Sequence, residues 1–228
     1  MFQIGEFSRL GSVTIETLRH YDALGLLKPA KVDPSTGYRY YSAKQMQPLN
    51  RILALKEVGF SLEENMPVYE VTLKPVEALT VAAIRETVPT IEQMSQRMGE
   101  LFHAIASWMM ANNLSLGLPM IIYHDKSYTR ENINIECAIP IGNIASDDIP
   151  SPEHPIVVRH TDAFPHVATT IVTEQKHESF KLAYNTLGQW IEDQGYCIVG
   201  PPRDIYYTPP GQEDFTAEIQ FPVEKSVG

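Results

Sequence analysis

The sequence predicts an α+β chain of two domains, a small helical head with a hairpin and a larger body built from one βαββ unit used twice. Three observations predict it. Apolar residues recur at helical spacing around short glycine turns in the first sixty residues; a strand, helix, strand, strand pattern occurs twice after residue 80; and charge divides at the same boundary. Residues 1–64 hold eight Lys/Arg against seven acids, a net of +1, so the remaining residues carry −11. The overall charge of −10 argues against nucleic acid for the chain as a whole, because phosphate binding wants Lys and Arg. The acidity belongs to the body, however, and a nearly neutral head on an acidic body suggests two separate jobs.

In the head, Ile4, Phe7 and Leu10 share one helical face, so Gln3 to Leu10 reads as a short amphipathic helix. Gly11-Ser12-Val13 makes a tight turn, and a second helix begins near Thr14, carrying Ile15, Leu18 and Leu24 toward a core. Two short helices joined by a brief glycine turn form a helix-turn-helix. The other face of the second helix presents Thr14, Thr17, Arg19, His20 and Tyr21, which can donate to phosphates or base edges. Asp33-Pro34 followed by Gly37 between extended residues signals a hairpin, a wing presenting Tyr38, Arg39 and Tyr40. Ser42-Ala43-Lys44-Gln45 is a capping box opening a helix to about Val58, with Met46, Leu49, Ile52, Leu53 and Leu55 as its apolar stripe.

These segments resemble the DNA-binding head of the MerR family. The residues that carry the resemblance are Ile4-Gly5-Glu6-Phe7-Ser8, Thr17-Leu18-Arg19-His20-Tyr21-Asp22, Gly25-Leu26-Leu27-Lys28-Pro29, Gly37-Tyr38-Arg39-Tyr40-Tyr41 and Gly59-Phe60-Ser61-Leu62-Glu63-Glu64. The resemblance covers residues 1–64, a winged helix-turn-helix domain. It implies DNA contact by Arg19, His20 and Tyr21 on the recognition helix and by Tyr38 and Arg39 on the wing, with Lys56 near a phosphate. His20 departs from the family, where an aromatic tyrosine is more usual, and is expected still to stack or donate a hydrogen bond. The resemblance further implies a homodimer on double-stranded promoter DNA, which distorts an overlong promoter spacer so that RNA polymerase engages both elements.

Ser61-Leu62-Glu63-Glu64 is a second capping box, yet Pro67 follows within two turns and would break any helix it opened. In the family a long dimerisation helix begins here, so residues 65–67 read as a junction from which that helix is missing. Either the chain lacks it or residues are omitted from the sequence, and a cap without its helix favours omission.

Residues 68–228 form the duplicated body. Val81-Ala82-Ala83 matches Val167-Ala168-Thr169; helices follow at about Ile91–Asn112, with Trp108, and Glu178–Gln194, with Trp190. Ile122-Tyr123 matches Ile205-Tyr206, and Ile135 to Ile141 matches Ala217 to Val223. Ile133, Ile135, Cys137 and Ile139 should lie under the first helix, and Phe215, Ala217, Ile219 and Phe221 under the second. Glu136 and Glu218 then face away, and Tyr123 and Tyr206 are expected on the glutamates' side, in a cleft of carboxylates and aromatics suited to a hydrophobic cation. A solvated sheet face is the plainer reading of either glutamate, and Trp108 and Trp190, also candidate ligand-binding residues, read as core as readily as pocket.

Residues 68–225 resemble the GyrI-like effector-binding domain of multidrug-sensing regulators, on the ending Thr216-Ala217-Glu218-Ile219-Gln220-Phe221-Pro222-Val223 above all. The resemblance implies that Glu218 is the ligand-facing carboxylate with Tyr206 beside it; Glu136 rests on the pseudo-symmetry.

Cys137 and Cys197 are too few and too isolated for a disulfide framework or a zinc site, and the seven histidines show no ligand spacing. No metal, cofactor or catalytic residue is therefore expected. No apolar run approaches the roughly 18 residues of a membrane span, and the first residues lack a basic, apolar leader, so a cytoplasmic protein without membrane contact is expected. The expected function is ligand-responsive regulation, most simply activation. The competing readings are hydrolysis, which some GyrI-like domains perform, and repression without a ligand.

Overall fold

The computed structural model describes residues 1–57, 69–142, 149–208 and 214–226. The second capping box at 61–64 and the junction at 65–67 lie outside them.

The head contains β1 (Phe2–Gln3), α1 (Ile4–Leu10), α2 (Ile15–Ala23), β2 (Lys31–Val32), β3 (Arg39–Tyr41) and α3 (Met46–Glu57). Local chemistry sets each boundary. Gln3 and Glu6 cap α1 reciprocally, the Gln3 amide donating to Glu6 Oε2 at 2.7 Å. Thr14 Oγ1 accepts from the Thr17 amide at 3.1 Å and starts α2. The Ser42–Gln45 capping box forms as the sequence predicts, around a 3-10 turn that leads into α3. Gly11 is required by packing: a Cβ there would meet Leu49 at 2.6 Å, where α1 approaches α3. In the wing, Asp33 accepts from the amides of Ser35 and Thr36, and Gly37 turns the chain at φ +71°. The strands pair in the order β1-β3-β2.

One core assignment changes. Leu24 is 58% exposed, because α2 stops at Ala23 and Gly25 turns away at φ +72°. Tyr21, three residues after Leu18 on the apolar face, takes the core place expected of Leu24.

The body contains β4 (Thr72–Val76), β5 (Thr80–Thr90), α4 (Met94–Ala111), β6 (Met120–Tyr123), β7 (Glu131–Pro140), β8 (Val157–His160), β9 (Phe164–Val172), α5 (His177–Asp193), β10 (Tyr196–Ile198), β11 (Arg203–Tyr206) and β12 (Ala217–Lys225). The duplication is real: β5-α4-β6-β7 and β9-α5-β11-β12 are its two copies. They fuse into one nine-stranded sheet of order β4-β9-β12-β11-β6-β7-β5-β8, with β10 paired to β12. The copies meet at the antiparallel pair β6–β11, where Ile121 faces Asp204 and Ile122 faces Arg203.

Helix α4 covers Ile133, Ile135, Cys137 and Ile139 with Leu101, Ile105 and Met109, as the strand period requires. Under α5, Ile219 and Phe221 pack with Leu187 and Ile191, and this core runs without a break into Phe7, Leu10, Leu18 and Tyr41 of the head. Each fully buried leucine or isoleucine there contributes about 2 kcal/mol. Phe7 and Tyr41 stack with centroids 4.7 Å apart. Close approach of α1 to α5 depends on Gly188, where a Cβ would lie 2.8 Å from both Leu10 methyls. Glu192 ties α5 to two other points of the head, accepting from the Ala43 amide in the turn before α3 and pairing with the N-terminal amine at 3.4 Å.

Candidate ligand cavity and nucleic-acid face

Register decides which side chains share a face. Ile122 lies opposite Glu136, and Ile205 opposite Glu218. The isoleucines therefore share the glutamates' face, while Tyr123, opposite Ile135, and Tyr206, opposite Ala217, point toward the helices. The expected cleft, with both glutamates and both tyrosines on one face, does not form. A strand has period two, so one residue of phase moves every side chain to the other side.

The glutamates are each held by a cation. Glu136 accepts two bonds from Arg159, at 2.6 and 2.7 Å, and contacts His124 Nε2 at 2.8 Å. Burial pushes its pKa up, but the His124 and Arg159 contacts outweigh that and bring it down to about 2. Glu218 pairs with Lys74 at 2.6 Å and accepts from Tyr207 at 2.8 Å and from the Thr169 hydroxyl. Against the pull of burial, these partners hold its pKa below the usual carboxylate range.

The tyrosines gather elsewhere. On the helix side, between the start of α4, helix α5 and the ends of β6 and β11, lies a cavity of about 250 Å³. Its lining includes Arg9, Tyr123, Phe180, Tyr184, Asp204 and Tyr206. Asp204 is 2% exposed; its Oδ2 accepts from Tyr123 at 2.9 Å and its Oδ1 from Tyr184 at 3.1 Å. Desolvation raises its pKa to about 6 although both hydroxyls favour the anion. A carboxylate ringed by aromatics in a mostly apolar cavity attracts a hydrophobic cation by charge and by ring quadrupoles. Arg9 and Ser12 of the head also line this cavity. Burial lowers the Arg9 pKa, partly offset by Tyr184 and Asp125.

Two expected ligand residues, Tyr123 and Tyr206, are thus brought together, and Glu136 and Glu218 lie on the opposite face. Trp108 packs on the core under α4, and Trp190 stacks on Tyr196 at 5.7 Å; neither lines the cavity. Asp204 and Tyr184 escaped the sequence reading. Their signals were an acid directly before the Ile205-Tyr206 pair of a strand and a tyrosine four residues after Phe180 on an amphipathic helix.

In the head, Arg19 and His20 are exposed on α2, and Tyr38 is 55% exposed on the wing. Thr14 and Thr17 are half-buried and joined by a 3.0 Å hydroxyl contact at the start of α2. Arg39 reaches Asp22 at 2.9 Å, tying the wing to α2. Tyr21 is the exception: 5% exposed, with its hydroxyl buried, it faces the core and not the outer face of α2 expected of it. The side chain of Lys56 lies outside the described residues. Among the described residues no three His, Cys, Asp or Glu are placed to hold a metal ion, and no helix is long and apolar enough to cross a membrane.

Residues 2–64 match the family "MerR HTH family regulatory protein", and residues 69–224 match the "GyrI-like small molecule binding domain". The multidrug-efflux transporter 1 regulator of Bacillus subtilis (strain 168) is 51% identical over 63 residues, 28% of this chain and 23% of that protein. The HTH-type transcriptional activator mta of the same organism is 30% identical over 141 residues, 57% of this chain and 53% of that protein. The chain thus spans between about a quarter and about half the length of these curated relatives. Among solved structures, the EcmrR chain of the EcmrR–DNA complex in EcmrR-RPo superposes with a TM-score of 0.59 at 26% identity, covering 99% of this chain and 100% of that one. The crystal structure of the EcmrR C-terminal domain gives 0.58 at 27% identity, covering 70% and 100%.

Proposed function

Because the chain belongs to the GyrI-like small molecule binding family and carries a MerR regulatory head, we propose that it is a transcription activator of the cytoplasm, switched by a lipophilic cation and without enzymatic activity. The observation that carries this reading is the shared wall of the cavity: α1 of the head contributes Arg9, and the turn after it Ser12, to the space around Asp204. Residues 1–64 act as the DNA-binding domain and residues 68–228 as the sensor, in a homodimer on promoter DNA that presents the distorted promoter to RNA polymerase. Likeness to the EcmrR chain, which is seen bound to DNA, supports this.

Arg19, His20 and Tyr38 meet the duplex, with Arg39 held by Asp22 to fix the angle between wing and helix. A cation entering the cavity pairs with Asp204 and repels Arg9, which moves α1 and with it α2. Such a ligand shifts regulation only by binding the DNA-distorting arrangement more tightly than the other.

Duplexes selected by the purified chain from a random pool, then transcribed with and without tetraphenylphosphonium, test the reading. A palindromic site whose transcription rises with the cation supports it. Failure to enrich any duplex, or transcription indifferent to a cation that binds, overturns it.

A further inference from the structure

Arg203 and Asp204 are consecutive residues of central strand β11, so their side chains leave opposite faces of the sheet. Asp204 enters the cavity under the helices. Arg203 enters a groove of about 370 Å³ on the other face, which none of the foregoing function uses. Cross-strand neighbours set this groove in a row: Gln220 beside Arg203, Arg203 beside Ile122, Ile122 beside Glu136, Glu136 beside Arg85. Arg159 reaches in from β8.

Three guanidinium groups therefore converge, and they are not equally engaged. Arg159 is spent on Glu136, with Nε and Nη2 on its carboxylate and Nη1 on the His160 carbonyl at 2.8 Å. Arg203 is 4% exposed; Nε donates to Gln220 Oε1 at 2.7 Å, but Nη2 is buried with no partner among the described residues. Arg85 donates from Nε to Asn134 at 2.9 Å, and no carboxylate pairs with it or with Arg203 among the described residues. A buried guanidinium N–H without an acceptor forfeits the hydrogen bond it made to water, a loss that an anion in the groove makes good. Of the acids in the groove, Glu136 is neutralised by Arg159, which leaves Asp162 against two arginines. Of the remaining wall, His124 is turned to Glu136 and Thr161 is polar, while Ile122, Val157, Phe164 and Pro201 form an apolar side.

We propose that this groove binds a small organic carboxylate, its oxygens on Arg203 Nη2 and Arg85 and its apolar body against Phe164 and Val157. The site is separate from the Asp204 cavity and does not depend on the reading of that cavity as a cation site. An inorganic anion satisfies the arginines alone; the apolar wall selects for a carbon skeleton.

Calorimetric titration of the full chain with benzoate, benzamide and inorganic phosphate tests the proposal. Benzoate is expected to bind saturably with benzamide inert, and phosphate weaker by about tenfold. Arg203→Gln should weaken benzoate by about 10- to 100-fold, and Arg85→Gln, at an exposed residue whose loss leaves the fold intact, by about 3- to 10-fold. Asp204→Asn should leave benzoate binding unchanged, which separates this site from the helix-side cavity. No benzoate binding up to about 10 mM, a Kd indifferent to Arg85→Gln, or phosphate bound as tightly as benzoate each overturns the proposal.

Discussion

Lowering the pH from 7 to 5 should weaken binding of a lipophilic cation about tenfold. The magnitude follows from Asp204, whose burial between Tyr123 and Tyr184 raises its pKa to about 6. At pH 7 roughly nine-tenths of the group is ionised and at pH 5 roughly one-tenth, and the apparent Kd scales inversely with the competent fraction. Fluorescence titration with tetraphenylphosphonium across this range, beside the neutral triphenylphosphine oxide, measures it. Asp204→Asn should flatten the profile and weaken the cation by about 10- to 100-fold at pH 7, leaving the neutral compound unaffected. The same substitution carries an opposite effect on stability. A carboxyl whose pKa is raised by folding destabilises the folded state when ionised, fully above the folded pKa, and the penalty fades as pH falls toward the unfolded value. The shift from 3.8 to about 6 sets an upper bound of roughly 3 kcal/mol. Asp204→Asn should therefore stabilise at pH 7 by about 1–3 kcal/mol, so that loss of binding cannot be put down to misfolding. A wild-type affinity that does not change between pH 7 and 5 refutes the assignment of Asp204 as counter-charge.

Four further substitutions have outcomes set by the same structure. Glu136→Gln breaks the bidentate pair with Arg159 and should cost about 3 kcal/mol at pH 7 in urea denaturation. Because folding depresses the Glu136 pKa to about 2, that stability is present above the ordinary carboxylate range and disappears as pH falls toward 2, so the acid slope of the variant should be shallower. Gly188→Val drives a side chain into Leu10 and should destabilise by about 1–3 kcal/mol; cation binding should persist while its effect on transcription is lost, and retained coupling would show that the α1–α5 contact carries no signal. On the DNA side, Arg19→Ala should reduce affinity and lower the salt slope by about one, whereas Tyr21→Phe, which removes a buried unpartnered hydroxyl, should leave DNA affinity unchanged and stability equal or higher.

The parts of the fold legible in the sequence are those set by neighbours in the chain. Thr14 and the Ser42–Gln45 box act on amides two or three residues away, and the Asp33–Gly37 hairpin closes on itself, so each could be read locally. The duplication was legible because both copies keep the same apolar period. Phase between strands was not: nothing local to Ile122-Tyr123 or Ile205-Tyr206 says which member faces Glu136 or Glu218, since that is fixed by pairing across the sheet. The misplacement of the tyrosines and the omission of Asp204 share this single cause.

The head-to-body contact was hidden for a different reason. On a helical wheel α1 has an apolar face of Ile4, Phe7 and Leu10 and an opposite face of Gly5, Glu6, Ser8 and Arg9, which in isolation reads as solvent-facing. None of its seven residues is exposed in the fold. Ser8 accepts from the Tyr128 amide at 3.2 Å, a Cβ on Gly5 would lie 3.0 Å from the Lys126 carbonyl, and Arg9 lines the Asp204 cavity. The small residues of Ile4-Gly5-Glu6-Phe7-Ser8 thus admit the 126–128 loop of the body, while Leu10 on the other side seats against Gly188 of α5. A seven-residue helix gripped on every side cannot shift against one neighbour without disturbing the others, because packed interiors transmit displacement. Under the proposed function, the link between ligand and DNA would therefore run through α1, between the cavity and α2.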